Sequence, residues 1–531
     1  MENFYDKVSS SLKGIVEKNY KVGLDYPIWE LSSRQKFGDL STAASLKIAS
    51  RIGKNPLEIA QKIKEELTEE IGDQVEKIEL VKPGFINLFF SKNLLLKSLE
   101  EIIKDKKNYF KEDKKRKVLI EFVSANPTGP LSIAHGRQAV VGDVVANLLE
   151  AQGDKVQREY YLNDTGRQME LLVLSVKERI KEIEGKSYQL PEGGYKGQYL
   201  KDVALDYLEN GKGKDLYGFC LSSLQDLIES DLRQLNISFD SWFSQNKLVE
   251  EGKVEEAIEF LEEKGLIYEK EGALWFSSTK FSDDKDRVVK KSDGALTYFA
   301  SDIAYHYDKC RRGYDKLINL WGPDHHGYIG RIKSALKALG YEKEDLLTVV
   351  IIQLVSLKSK QRMSKRAGTL IRFSELIKEV GKDAARFYYL TRKNSSHLDF
   401  NIDLAKKSSF DNPLYYIHYV CARIESIFKK TDKKPDKSFS KYLQEPQELN
   451  MVRFLLRFSL CLKKSYYSLE PVFVIEYLKE LASMFHKFYE KVRILGDDPK
   501  KTKARLNILQ ATKEVLYFGL EILGIEPVKE M

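Results

Sequence analysis

Two stretches of this 531-residue chain gather groups able to handle phosphates. The first, EFVSANPTGPLSIAHGRQAVVGD at 121–143, sets a Pro/Gly-rich loop between an apolar strand-like run and the start of a helical pattern. Free backbone N–H groups and the helix dipole make such a junction favourable to an anion. His135 falls in the first turn of that helix, placed to donate to a phosphate oxygen. The second, SKQRMSKRAGT at 359–369, crowds Lys360, Arg362, Lys365 and Arg366, with Lys358 just before them, into a loop ending at Gly368. Dense positive charge suits a triphosphate whose departing pyrophosphate gathers charge in the transition state. Each stretch alone has a plainer reading, since a Pro/Gly loop before a helix is common and a basic run is most often a solvated loop. No G-x-x-x-x-G-K-[ST] occurs and no G-x-G-x-x-G follows a strand, which excludes a P-loop and a dinucleotide fingerprint.

The elements that must position these groups follow from periodicity. VLIEFV from Val118 predicts a buried strand, and Ile133, Val140, Val141, Val144, Val145, Leu148 and Leu149 recur as a helical stripe closed by Gly153. VQREYYL follows as a second strand, completing a β-α-β unit of a doubly wound parallel sheet. The pattern returns in LINLWG, which leads through PDHHG into the helix YIGRIKSALKALG, and in TVVIIQLVSL, which leads to the basic loop. The reading is multidomain. Residues 1–112 form an α+β N-terminal domain, with helices turning at Gly53 and Pro56 and strands broken at Pro83-Gly84. Residues 113–405 form an α/β Rossmann-like doubly wound domain with a helix-rich insertion at about 170–290 that also holds a few strand-like runs. Residues 406–531 form an all-α helical bundle.

Taken together, the two stretches resemble the paired His-Ile-Gly-His and Lys-Met-Ser-Lys-Ser signatures of class I aminoacyl-tRNA synthetases. SANPTGPL, KSDGALTYFASDIAYH, GPDHHGY and DNPLYYIHYVCARI, in that order, are similar to blocks of the arginyl-tRNA synthetases. The chain departs from the signatures at Ser132 and Ala134 in the first, and at Arg362, Arg366 and Ala367 in the second. The resemblance implies an arginine–tRNA ligase that forms arginyl-adenylate from ATP, transfers arginine to the 3' end of its tRNA, and activates arginine only with tRNA bound. It implies His135 and Lys365 as catalytic residues supplying charge. It places ATP, with Mg²⁺ as counter-ion, at Pro130, Ser132, His135, Gly136, Gly322, Met363, Ser364 and Lys365. It also implies an arginine pocket of Glu121, Ser124, Ala125, Asn126, His135, Tyr298, Asp302 and Asp324. A guanidinium, with five donors in a rigid fork, calls for carboxylates and amide oxygens of this kind. Singly, Glu121 could be a strand terminus and Asp302 a cap of the helix beginning DIAYH.

Tyr416, Tyr419 and Arg423 fall at i, i+3 and i+7, one face of a helix. Such a face is commonly a core stripe; the resemblance favours a stacking platform for anticodon bases, with Met531 at a family position close to it. His325 and His326 are adjacent and diverge, with no H-E-x-x-H beside them, so no metal site is expected. Cys220, Cys310, Cys421 and Cys461 lie far apart with no C-x-x-C, which argues against structural zinc and disulfides. Another class I synthetase is the nearest rival, but the cysteine enzyme's zinc set is missing; a non-catalytic tRNA-binding relative is the second. With 42% hydrophobic and 31% charged residues the composition is that of a globular enzyme, and a net charge of +8 suits a polyanionic partner. The longest apolar run, Leu347 to Leu357, is broken by Gln353 and too short to span a bilayer. MENFYDKVSSSLKGIV shows no signal peptide, so a cytoplasmic location is expected. A monomer is expected as well, though no residue pattern sets the oligomeric state.

Overall fold

The structure, a computed structural model, describes residues 3–32, 35–112, 114–358 and 372–531. Its contacts divide the chain into two units.

The larger unit comprises Lys114–Glu150 and Asp154–Lys406. Its centre is a five-stranded sheet in the order Leu347–Ile351, Lys316–Trp321, Lys117–Glu121, Lys155–Leu162, Ser241–Ser244, every pair parallel. The first strand in the chain lies in the middle, the next two add on one side and the last two on the other. The order therefore reverses at Lys117–Glu121 and Lys316–Trp321, which opens a crevice beyond their carboxyl ends. Glu121 closes the central strand, opposite Asn319 on one side and Glu159 on the other.

The helix Ile133–Ala151 is buried on nearly all sides rather than along one stripe, Gly136, Arg137, Gly142 and Asp143 included. Two close approaches require this. A Cβ at Gly142 would stand 2.3 Å from the Phe122 ring, and one at Gly136 2.3 Å from Phe373. Asp143 is buried with a partner of its own, Arg386 at 2.5 Å, whose guanidinium also donates to the Leu235 carbonyl.

Two local readings differ from what the structure holds. Inside 170–290, among helices such as Arg167–Ile183, Leu216–Arg233 and Lys253–Glu263, the four residues Ser241–Ser244 form an edge strand of the main sheet. A strand this short, with serine at both ends, carries too little alternation to declare itself. TVVIIQLVSL is two strands, not one. Leu347–Ile351 joins the main sheet, while Val355–Lys358 pairs with Leu398–Asn401 in a separate parallel pair. The chain changes direction at Gln353, whose N–H donates to the Asn394 carbonyl.

The smaller unit comprises Met1–Asp113, Ala151–Gly153 and Lys407–Met531. Its N-terminal part carries an antiparallel sheet, Glu30–Leu31, Leu40–Thr42, Phe85–Phe90, Val75–Val81, against the helices Phe4–Tyr20, Ala44–Ile52 and Pro56–Ile71. Gly53 ends one helix at φ 70° and Asn55 caps the next, as the turn residues require. The C-terminal part is a bundle of Pro413–Lys429, Pro446–Ser468, Val472–Lys491 and Pro499–Leu523. The two parts share a core. Phe110 packs edge-on against Phe458 at 5.0 Å, and Lys463 pairs with both Asp6 and Glu112.

Candidate active site

The strand Lys117–Glu121 leaves the sheet through an abrupt bend. Val123 and Ser124 take φ of 67° and 41°, the left-handed region that a β-branched residue rarely enters. Such backbone costs about 1–3 kcal/mol and persists only when its surroundings over-determine it. They do so here. The Ser124 hydroxyl donates to Glu121 Oε1 at 3.1 Å and accepts the Tyr161 N–H at 3.1 Å. Further along, Tyr160 and Tyr199 hydroxyls donate to the carbonyls of Ala125 and Thr128, at 2.8 and 2.6 Å. The Leu131 N–H donates to Asp231 at 3.3 Å.

The bend turns Glu121, Ser124, Ala125 and Asn126 into a cavity of about 490 Å³ at the crevice. His135, Tyr298, Asp302, Gly322 and Asp324 line the same cavity. All eight residues expected around arginine are thus brought together. Of those expected around ATP, His135 and Gly322 line it, while Pro130, Ser132 and Gly136 do not. Ser132 is buried and its hydroxyl accepts the His135 N–H at 3.4 Å, so it serves as a helix cap. Met363, Ser364 and Lys365 lie outside the described residues.

Along the cavity floor runs a continuous hydrogen-bond chain whose protons can be assigned. The Asp302 carbonyl can only accept, so His306 Nδ1 carries the proton of their 2.8 Å bond, and His306 Nε2 accepts from Asn319 Nδ2 at 2.8 Å. Asn319 Oδ1 accepts from Lys309 at 3.1 Å, and Lys309 donates to Glu121 Oε2 at 2.5 Å. Lys309 is fully buried and also sits 4.1 Å over the Tyr305 ring. Burial and the Lys309 charge push the His306 pKa down to about 3, so its ring stays neutral.

Both Glu121 oxygens are therefore engaged, one by Ser124 and one by a resident cation. Asp302 differs. It lies inside the helix Tyr298–Arg311, which Thr297 caps, so it is no capping residue. Its carboxylate has no ion-pair partner among the described residues, and burial together with the Glu121 charge pushes its pKa up to about 7. A partly enclosed carboxylate without a cation, beside one that has its own, is what a single incoming guanidinium would complete. Asp324 is exposed, 3.5 Å from His325, and Tyr298 stands 62% exposed at the rim.

His135 was expected to supply charge. Burial lowers its pKa, and its Nδ1 lies 3.3 Å from the Ser132 N–H as an acceptor, which leaves the ring proton on Nε2. It is a neutral donor. Sequence reasoning missed Gln138, Gln245, Tyr305 and Lys309 here. Gln138 and Tyr305 sit one turn beyond His135 and Asp302, and Lys309 two turns beyond Asp302, a spacing that could have found them. Gln245 follows the unrecognised strand and carries no such signal.

In the smaller unit, Tyr416 and Tyr419 stack on His486 at 4.5 and 5.5 Å, and Arg423 donates to the Tyr419 hydroxyl at 2.6 Å. All three residues of that face are half-buried rather than core. Tyr419, Arg423 and Met531 line one groove of about 430 Å³ with Lys429 and Lys529. Phe410, 58% exposed, packs edge-on against both tyrosines. Among the described residues no group of three His, Cys, Asp or Glu could hold a metal ion.

A parallel sheet of this order, with the carboxylate cavity and the His135 helix at its crevice, is that of a class I tRNA synthetase catalytic domain, and residues 98–403 match the family described as tRNA synthetases class I (R), catalytic domain. Residues 3–90 match the arginyl tRNA synthetase N terminal domain and 417–531 the DALR anticodon binding domain. The chain belongs to the arginyl-tRNA synthetase family. It is 42% identical over 524 residues to the arginine–tRNA ligase of Citrifermentans bemidjiense, covering 94% of each chain. It is 38% identical to that of Thermotoga petrophila, covering 99% of each. The fold is also that of the Thermus thermophilus arginyl-tRNA synthetase, with a TM-score of 0.80 at 20% identity over 99% of each chain.

Proposed function

We propose that this chain activates L-arginine with ATP to arginyl-adenylate and transfers it to the 3' end of its cognate tRNA, releasing diphosphate and AMP. The observation that carries the reading is Asp302, a carboxylate with no cation beside it among the described residues, in a cavity that also holds His135. Arginine would lay its guanidinium on Asp302, with Tyr298 and Asp324 at the rim and Asn126 and Ser124 near its α-amino and carboxylate groups. The arginine carboxylate then attacks the α-phosphate of ATP in line. Proximity and charge stabilisation carry that step, without an acid–base residue. His135 donates from Nε2 to a phosphate oxygen, and Lys365, by its place in the second signature, supplies positive charge to the departing diphosphate. Mg²⁺ enters as the counter-ion of ATP. The protein would work as a cytoplasmic monomer, which native mass by light scattering would check. The functional test is ATP–diphosphate exchange with each amino acid, with and without tRNA. Exchange that requires arginine and tRNA supports the reading, and exchange with another amino acid alone defeats it.

A pH dependence follows from Asp302. The guanidinium binds the ionised carboxylate, whereas below pH 7 the pocket holds it mostly protonated. Arginine binding must then release a proton. Affinity should be flat above about pH 8 and fall as the pH drops through 7, by at most about tenfold per unit. Calorimetry in buffers of different ionisation enthalpy, with tRNA present, reads the proton release directly. Affinity constant from pH 8 to 5.5 would contradict it.

The half-buried tyrosine face fits a base-stacking platform. Changing Tyr416 and Tyr419 together to Ala should weaken tRNA binding, since stacking contributes about 1–3 kcal/mol per base, while arginine and ATP affinities hold. A large drop in melting temperature with all activities lost in proportion would instead make them core residues.

A further inference from the structure

Arg137 follows His135 by two positions and is buried to 0% exposure, yet the chemistry above does not use it. Its Nη1 donates to the carbonyls of Gln353 and Ser396, each at 2.8 Å, and its Nη2 donates to the Lys393 carbonyl at 2.9 Å. Gln353 sits just before the strand Val355–Lys358, and Lys393 and Ser396 just before its partner Leu398–Asn401. One guanidinium on the His135 helix thus gathers the entry to both strands of this pair.

The chain that follows the basic block in sequence is tied to the same place. The Phe373 N–H donates to the Leu131 carbonyl at 2.9 Å, and Ser132 bridges Arg372. The Phe373 ring lies so close to Gly136 that a Cβ there would meet it at 2.3 Å. The described residues on both sides of 359–371 are therefore seated on residues 131–137, the stretch that carries His135. Three bonds from one charged donor hold more than a neutral contact does, because charge-assisted hydrogen bonds are roughly twice as strong and the planar fork is rigid. A lysine offers one nitrogen where the guanidinium uses two, so it cannot keep all three bonds at these positions.

We propose that Arg137 is a positioning residue for the ATP half of the reaction, fixing the strand pair Val355–Lys358 and Leu398–Asn401 on the helix that carries His135. The inference rests on the proposed ligase reading. It separates the two substrates: the arginine floor, built on Glu121, Asp302, His306, Lys309 and Asn319, makes none of these bonds.

The test uses the full chain with Arg137→Lys and Arg137→Met, measured by tRNA-dependent ATP–diphosphate exchange beside a thermal melt. Arg137→Lys keeps the charge but leaves buried carbonyls short of donors, so its melting temperature should fall while the chain still folds, and its kinetics are read per folded protein. Its kcat should fall by about 10- to 100-fold, the scale of loss when reacting groups shift by about an ångström. The KM for ATP should rise while the KM for arginine stays within about twofold. Arg137→Met should show the same split more strongly in whatever fraction remains folded. Three outcomes overturn the proposal: Arg137→Lys with wild-type kcat and ATP KM; both KM values moving together; or both variants losing activity only in step with lost folded protein. Failure of the ligase reading would look different, because wild type itself would then show no arginine-dependent exchange.

Discussion

Asp302→Asn should lose about 30- to several-thousand-fold in arginine affinity while ATP binding stays close to wild type. The magnitude is that of truncating one member of a hydrogen-bonded charge pair, roughly 2–5 kcal/mol. The cavity concentrates the effect on this residue. Glu121 is already paired with Lys309 at 2.5 Å and held by Ser124, so the enclosed carboxylate left for a substrate is Asp302, with Asp324 exposed at the rim. Citrulline, neutral but nearly the same shape, should be rejected on the same scale. Lysine keeps the charge but lacks the planar fork and should be rejected too. The measurement is tRNA-dependent exchange with arginine, citrulline and lysine on wild type and variant. Normal arginine binding by Asp302→Asn, or activation of citrulline or lysine as fast as arginine, would sink the pocket assignment.

Lys365→Ala should cut activation by about 10²–10³ with the melt unchanged, the usual loss when one donor to transition-state charge is removed. Lys365 lies outside the described residues, so this expectation stands on its place in SKQRMSKRAGT. Because His135 is held neutral, the share of positive charge falling to this block is larger than a charged histidine would leave it. Turnover within about threefold of wild type, in a variant that melts normally, would mean that another group carries the charge.

What could be read along the chain was whatever local spacing encodes. The strand-loop-helix around His135, the two strand–helix returns at LINLWG and TVVIIQ, and the helical C-terminal pattern all rest on periods of 2 and 3.6 residues and on Gly/Pro breaks, which are local properties. The residue types at Glu121, Asn126, Tyr298, Asp302 and Asp324 were legible through resemblance, and the fold does bring them to one cavity. Their division of labour was not. That Glu121 carries its own cation, that Asp302 does not, and that His306 is neutral depend on Lys309 and Asn319, one on a helix and one on a strand that meet only in the folded sheet. That Ser132 caps the His135 helix was not legible either, because it depends on its hydroxyl facing the His135 N–H. The edge strand Ser241–Ser244 forms because Tyr160, Tyr161 and Leu162 offer a parallel partner, not because its own four residues demand it. Local pattern determined which elements this chain makes and where its chemical residues fall along them. Charge state, hydrogen-bond direction and partner were decided by tertiary structure, since each depends on burial and on neighbours far away in the chain, as Lys309 is 188 residues from Glu121.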